Sequence, residues 1–188
     1  MSKRIFITGI PTSGKSYLAR KLAKMIGGEV VSTDNMREEM SKDPKYKMWV
    51  DFYVSKNEEE YYTTTSSEKQ WKNLVDQSEA LWPFILNRIN SYDGNKPVLF
   101  EVVNILPHLV KRDLQFNGVV LIGKSKDDVF NRLKKDHRWG NTEELWTLEA
   151  NSFFEVERPR YKDEAIQNGY QYFETFEDAL EVCIKLLT

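Results

Sequence analysis

Apolar runs too short for anything but strands alternate along this chain with longer stretches of helical spacing. The runs are residues 4–8 (RIFIT), 29–33 (EVVST), 97–103 (PVLFEVV), 118–122 (GVVLI) and 170–173 (YQYF). Each is separated from the next by enough chain for a crossover helix, so the pattern predicts five strands in a parallel sheet with helices packed on it. After the first run, YLARKLAKMIG puts Leu18, Leu22, Met25 and Ile26 on one helical face and Arg20, Lys21 and Lys24 mostly on another, ended by Gly27 and Gly28. That strand, loop and helix open a βαβ unit.

The longest region without a strand signal is about residues 35–95. Its second half begins TSSE, where Thr65 and Glu68 read as a capping box, and continues with Trp71, Leu74, Val75, Leu81, Trp82, Ile85 and Ile89. This spacing predicts an amphipathic helix, bent near Pro83, whose stripe belongs to the core. The first half, residues 43–65, is aromatic, mixed in charge and weakly periodic. It is read as a helix followed by a loop that covers the site.

Two stretches satisfy the phosphate-loop spelling G-x-x-x-x-G-K-[ST]: GIPTSGKS at 9–16 and GVVLIGKS at 118–125. The spelling works only where the residues between the glycines form a loop whose N–H groups converge on an anion before a helix N-terminus. Pro11 and Ser13 suit a loop. Val119, Val120, Leu121 and Ile122 suit a buried strand. Behind the second copy, Ser125 and Asp128 resemble a capping box, and Asp127 and Asp128 already occupy the electropositive helix end. Residues 9–16 are therefore the expected site, and 118–125 a chance match. In the expected site the backbone N–H groups from Thr12 to Ser16 surround a β-phosphate, with Gly9 and Gly14 permitting the bend and Ser13 leaving the backbone open. Lys15 neutralises the β and γ oxygens, and Ser16 helps to hold Mg²⁺.

Composition limits the rest. The 188 residues suit one domain; 40% are hydrophobic, 30% are charged and the net charge is −2, which gives no support to a nucleic-acid partner. The lone Cys183 can form neither an intrachain disulfide nor a zinc cluster and is expected to pack in the interior. The N-terminal MSKRIFITGI is too briefly apolar for a signal peptide and no run approaches a membrane span, so no membrane association and a cytoplasmic location are expected.

Further candidates follow from strand ends. Asp34, directly after the second strand, stands at the carboxyl edge of the sheet, where it could take a proton from a substrate hydroxyl; its alternative is to cap the short helix NMREEM. Arg37, one turn on, suits a substrate anion, against the alternative of a solvated side chain. Glu101, near the end of VLFEVVN, could reach Mg²⁺ through water or touch the substrate, or merely point off the strand end. Arg132, Lys134, Lys135, His137 and Arg138 cluster in a segment that suits a mobile lid, with Arg132 and Arg138 the preferred catalytic arginines and a solvated basic face the alternative. Arg158 and Arg160 form a second basic cluster.

Taken together, the phosphate loop at 9–16, Asp34-x-x-Arg37 after the second strand, Glu101 at the end of the third and the arginine-bearing segment after the fourth resemble the small P-loop kinases. That group includes adenylate, shikimate and gluconate kinases, chloramphenicol phosphotransferase and polynucleotide 5′-kinase. The resemblance implies a three-layer α/β P-loop NTPase sandwich over residues 1–188, with sheet order 2-3-1-4-5. It also implies a helical substrate-binding insertion at about 35–95, a lid at about 132–160, ATP with Mg²⁺, Asp34 as general base and lid arginines between 132 and 138. The chain departs from nucleoside monophosphate kinases in its substrate region, where Arg88 is the only arginine between 38 and 95. A hydroxyl on a small metabolite, nucleoside or antibiotic-like molecule is thus the favoured acceptor. Trp49, Tyr53, Tyr61 and Tyr62, free of the core stripe, are expected to line its pocket. No N-K-x-D segment supports a guanine-nucleotide switch. A nucleotide or polynucleotide 5′-kinase, or an ATP-binding regulatory module without transfer, remains the alternative.

Overall fold

Alternate residues of the apolar runs enter different cores. In the first strand, β1 (Arg4–Gly9), Ile5 and Ile7 face one cluster and Phe6 the other; in the fourth, β4 (Gly118–Leu121), Val119 and Leu121 face the first cluster and Val120 the second. Side chains two apart share a sheet face, so a run apolar at every position is buried on both sides. The computed structural model describes residues 4–92, 96–114, 116–136 and 140–187, and of 33–35 the helical backbone alone.

The remaining strands are β2 (Glu29–Ser32), β3 (Val98–Glu101) and β5 (Gln171–Phe173), and all five pair in parallel in the order β2-β3-β1-β4-β5. One face is covered by α1 (Lys15–Ile26) and α10 (Phe176–Leu187), through Leu18, Leu22, Ala179, Cys183 and Leu187. Cys183 is buried there, and burial pushes its thiol up to about 12.

The opposite face carries the larger core. Between β2 and β3 the chain forms α2 (Thr33–Met40), α3 (Pro44–Val50), α4 (Glu58–Thr64) and α5 (Ser67–Asn90). After β3 comes α6 (Pro107–Asp113) and, after β4, α7 (Lys126–Lys135), α8 (Glu143–Asn151), a π-helix (Ser152–Glu157) and α9 (Arg158–Asn168). The α5 stripe does belong to the core: Leu74, Leu81, Trp82, Ile85 and Ile89 are buried, the leucines and isoleucines each contributing roughly 1.5–3 kcal/mol. Among the described residues, no helix is long and apolar enough to cross a membrane.

Three local expectations are corrected. The segment after α3 is not all loop, because Asn57 caps a further helix, α4, by accepting from the Glu60 N–H at 2.9 Å. Thr65 then serves as the C-cap of α4, so the N-cap of α5 falls to Ser66, whose Oγ accepts from Lys69 N–H at 3.3 Å. The helix containing NMREEM starts at Thr33 with Ser32 as its N-cap, which places Asp34 inside its first turn rather than at a cap.

Candidate functional site

The loop between β1 and α1 turns on backbone conformations that few side chains tolerate. Gly9 has φ 127°, and a Cβ there would be driven into the carbonyl of Leu121 on the neighbouring strand. Gly14 has φ 97°, and Thr12, at φ 59°, is the only non-glycine with positive φ among the described residues. The curled loop brings Ser13 Oγ 2.8 Å from the Ile10 carbonyl oxygen, and Lys15 Nζ donates to the same oxygen at 2.6 Å. Lys15 is buried while Ser16 is exposed.

Behind the loop, α1 begins at Lys15 after Gly14 as its N-cap, with no side-chain cap and no acidic residue in its first turn. Its first N–H groups and its positive dipole end therefore face the loop, the arrangement an anion needs. These residues fit a nucleotide phosphate chain: N–H groups from 12–16, one ammonium and one exposed hydroxyl for a divalent cation.

The second spelling has none of this. Residues 118–121 are strand β4, fully buried, and Gly118 is small because the ring of Phe6 occupies the space of a Cβ. Lys124 is exposed, and Ser125 caps α7 by accepting from Asp128 N–H at 3.2 Å, with Asp127 and Asp128 in the first turn.

Arg132, in the last turn of α7, reaches across to the first loop: Nη1 donates to the Thr12 carbonyl at 2.7 Å and lies 3.3 Å from where a Gly14 Cβ would be. Arg138 and His137 lie outside the described residues. Arg158 and Arg160 serve the framework. Arg158 binds the Gly123 carbonyl at 3.3 Å and the Glu174 carboxylate at 2.6 Å, and Arg160 binds the Val156 carbonyl at 2.8 Å.

On the other side of the loop, Pro11 forms one wall of a pocket of about 60 Å³. Arg37 lines it from α2, and Tyr53, Tyr61 and Tyr62 come from the segment between α3 and α5. Trp49, expected with them, instead packs against the core and offers its carbonyl to Gln77 at 2.7 Å. Glu101 closes β3, half-buried and in register with Ile7 of β1 and Ser32 of β2, at the carboxyl edge. The backbone of Asp34 follows that same edge in α2.

Sequence reasoning missed the amides and the far wall. Asn104 Nδ2 donates to Gln77 Oε1 at 3.0 Å and Ser78 Oγ at 3.1 Å, and Ser152 Oγ donates to Gln70 Oε1 at 2.7 Å. A signal existed, since Gln70, Asn73, Gln77 and Ser78 interrupt an apolar stripe and buried polar groups need partners. Ser152, Phe153 and Glu157 line the pocket from the π-helix. Burial pushes Tyr53 well above the ordinary phenol range, helped by the nearby Tyr61 and the charge of Glu157. Tyr62 is raised in the same way, by burial first and then by Glu149, Glu157 and Glu58. Tyr53 and Tyr62 are thus neutral hydroxyls at physiological pH.

No protein-family model and no curated protein matches the sequence. Among solved structures, the chain is similar to a shikimate kinase from Acinetobacter baumannii in complex with shikimate, at TM-score 0.56 and 16% identity over 99% of this chain and 93% of that one. It is also similar to TT1252 from Thermus thermophilus (TM-score 0.53, 15% identity, 100% and 98% covered) and to a shikimate kinase from Bacteroides thetaiotaomicron (0.51, 14%, 100% and 99%). The likeness is one of fold: the chain has the P-loop kinase fold, with its five-stranded parallel sheet in the order 2-3-1-4-5.

Proposed function

We propose that this protein is an ATP-dependent phosphotransferase that moves the γ-phosphate of ATP to a hydroxyl of a small molecule. The observation that carries the reading is the curled loop before an uncapped α1, with a pocket opening against the loop's own Pro11. Bound ATP with Mg²⁺ supplies the phosphoryl group and the charge neutralisation that its transfer needs.

The chain's own groups have distinct tasks in this reading. Backbone N–H groups of Thr12, Ser13, Gly14, Lys15 and Ser16 hold the phosphates, with Gly9 and Gly14 permitting the turn. Lys15 would leave the Ile10 carbonyl to neutralise phosphate oxygens, and Ser16 and Glu101 would hold Mg²⁺, whose charge would offset that of the phosphates. Asp34 accepts the proton of the acceptor hydroxyl as the new O–P bond forms and the bond to the departing ADP oxygen breaks. Arg37 holds an anion at the acceptor side. Arg132 and Arg138 stabilise the transferring group from a lid at about 132–160, while the insertion at about 35–95 binds the acceptor within one domain spanning 1–188.

A neutral or weakly charged ring-bearing or sugar-like acceptor is favoured over a nucleoside monophosphate, because Arg37 is the one arginine in the pocket wall among the described residues. A dianionic phosphate that must surrender its water needs more than that. Acceptor-dependent ADP release across a panel of hydroxyl compounds and nucleoside monophosphates tests the reading, together with Asp34→Asn. That variant should lose about 10²- to 10⁴-fold in rate with ATP affinity little changed. Full transfer by Asp34→Asn, or ready turnover of AMP, CMP, UMP, GMP or dTMP, contradicts it.

A further inference from the structure

We infer that Asn104 selects the acceptor: its side-chain carbonyl oxygen receives a hydroxyl of a polyol, next to the hydroxyl that is phosphorylated. The phosphorylation rests on the phosphotransferase reading, and the binding does not.

The neighbours of Asn104 fix which way its amide points. Gln77 Nε2 donates to the Trp49 carbonyl at 2.7 Å, an oxygen that can only accept, so Gln77 turns its Oε1 the other way, toward Asn104. Ser78 Oγ gives its proton to the Leu74 carbonyl at 2.7 Å and is left as an acceptor. Asn104 must therefore present its nitrogen to both, and Nδ2 donates to Gln77 Oε1 at 3.0 Å and to Ser78 Oγ at 3.1 Å. With both amide protons engaged, Oδ1 is the atom that remains. It has no partner among the described residues, yet it is not sealed in the interior: Asn104 is 6% exposed and lines the pocket beside Pro11.

The backbone holds that oxygen in place. Val103, the residue before it, gives its carbonyl to two buried hydroxyls, Tyr161 at 2.8 Å and Thr8 at 3.3 Å. Thr8 immediately precedes Gly9, so the clamp ties this turn after β3 to the start of the phosphate loop. A nearly buried acceptor held this rigidly loses its water when a ligand enters, and a ligand with no donor at that place leaves it unpaired. An amide oxygen carries no charge and accepts readily from an O–H. Around it, Tyr62, Gln70 and Ser152 offer neutral polar atoms and Pro11, Leu74 and Val103 offer apolar surface, a mixture that suits the hydroxyls and C–H faces of a polyol.

Calorimetric titration of the whole protein, without ATP, takes D-ribose, D-glucose and myo-inositol as parents, each beside the full set of its monodeoxy analogues. At least one parent should bind, with one of its analogues about tenfold weaker or more, and in Asn104→Leu the parent should fall to that analogue's affinity. A second readout needs no variant and stands even if Asn104→Leu folds poorly. The Asn104 side-chain amide signals in a nitrogen–proton correlation spectrum should move with the parent and stay put with that analogue, because a bond to Oδ1 polarises the amide held by Gln77 and Ser78. The inference is overturned if no parent binds, if every analogue matches its parent, if the Asn104 signals ignore the parent, or if the parent keeps its full advantage in folded Asn104→Leu. Because the readout is binding, this discrimination without ADP release upholds the role of Asn104 and refutes the phosphotransferase, whereas ADP release with acceptors that show no such discrimination does the reverse.

Discussion

Residues 9–16 and 118–125 share a spelling and lie side by side, β1 paired with β4 and Gly9 level with Leu121, yet only the first forms a curled loop before an uncapped helix. In the first, the glycines serve backbone conformation, at φ 127° and 97°, and α1 behind them is left uncapped. In the second, Gly118 serves packing against Phe6, and α7 is capped by Ser125 and by its own acids. The second copy still matters to the first: it starts the helix that carries Arg132 to the Thr12 carbonyl. What separates a phosphate loop from a strand is the chemistry of the residues between the glycines, and that chemistry is open to mutation.

The largest effect should come from the glycines themselves. Gly9→Ala forces a side chain against backbone at a strained φ and should cost about 3 kcal/mol or more in urea denaturation. Gly118→Ala meets only a ring, should cost about 1–3 kcal/mol, and should be largely relieved by Phe6→Leu. Rescue of Gly9→Ala by a side-chain change would blur the distinction drawn here.

Next is the bridge between the copies. Arg132→Ala removes an exposed charge-assisted hydrogen bond to the loop and should weaken ATP binding by about 10- to 100-fold while leaving the thermal midpoint nearly unchanged. An unaltered affinity would reduce Arg132 to a surface residue.

The smallest effect is at the two serines. Ser125→Ala should cost about 1 kcal/mol of stability as a lost N-cap and leave ATP affinity alone; Ser16→Ala should leave stability alone and remove the Mg²⁺-dependent part of ATP binding. A melting curve and a titration with and without Mg²⁺ separate them.

The sheet was legible because its strands are apolar at almost every position, a pattern that burial on both faces dictates. The loop was legible through Pro11 and Ser13, which suit a loop where the second copy has four strand residues. The cap of α5 was read one residue early, at Thr65, because α4 was not foreseen: EEEYYTTT has no apolar period, and that helix depends on the Asn57 cap and on tyrosines turned toward the pocket. Glu157 escaped notice because the π-helix breaks the 3.6-residue period on which helical faces are judged. The pocket wall is built from such departures from regular periodicity, so the pocket was half visible, its tyrosines foreseen and its carboxylate not.

The claim that one copy binds nucleotide and the other does not is tested most directly by calorimetry of ATP·Mg²⁺ on Lys15→Ala and Lys124→Ala, measured beside the wild type. Lys15 is buried in the curled loop and Lys124 is exposed after a strand, so the first variant should lose binding or nearly so and the second should match the wild type. Equal losses in the two variants, or retained affinity in Lys15→Ala, would contradict the account.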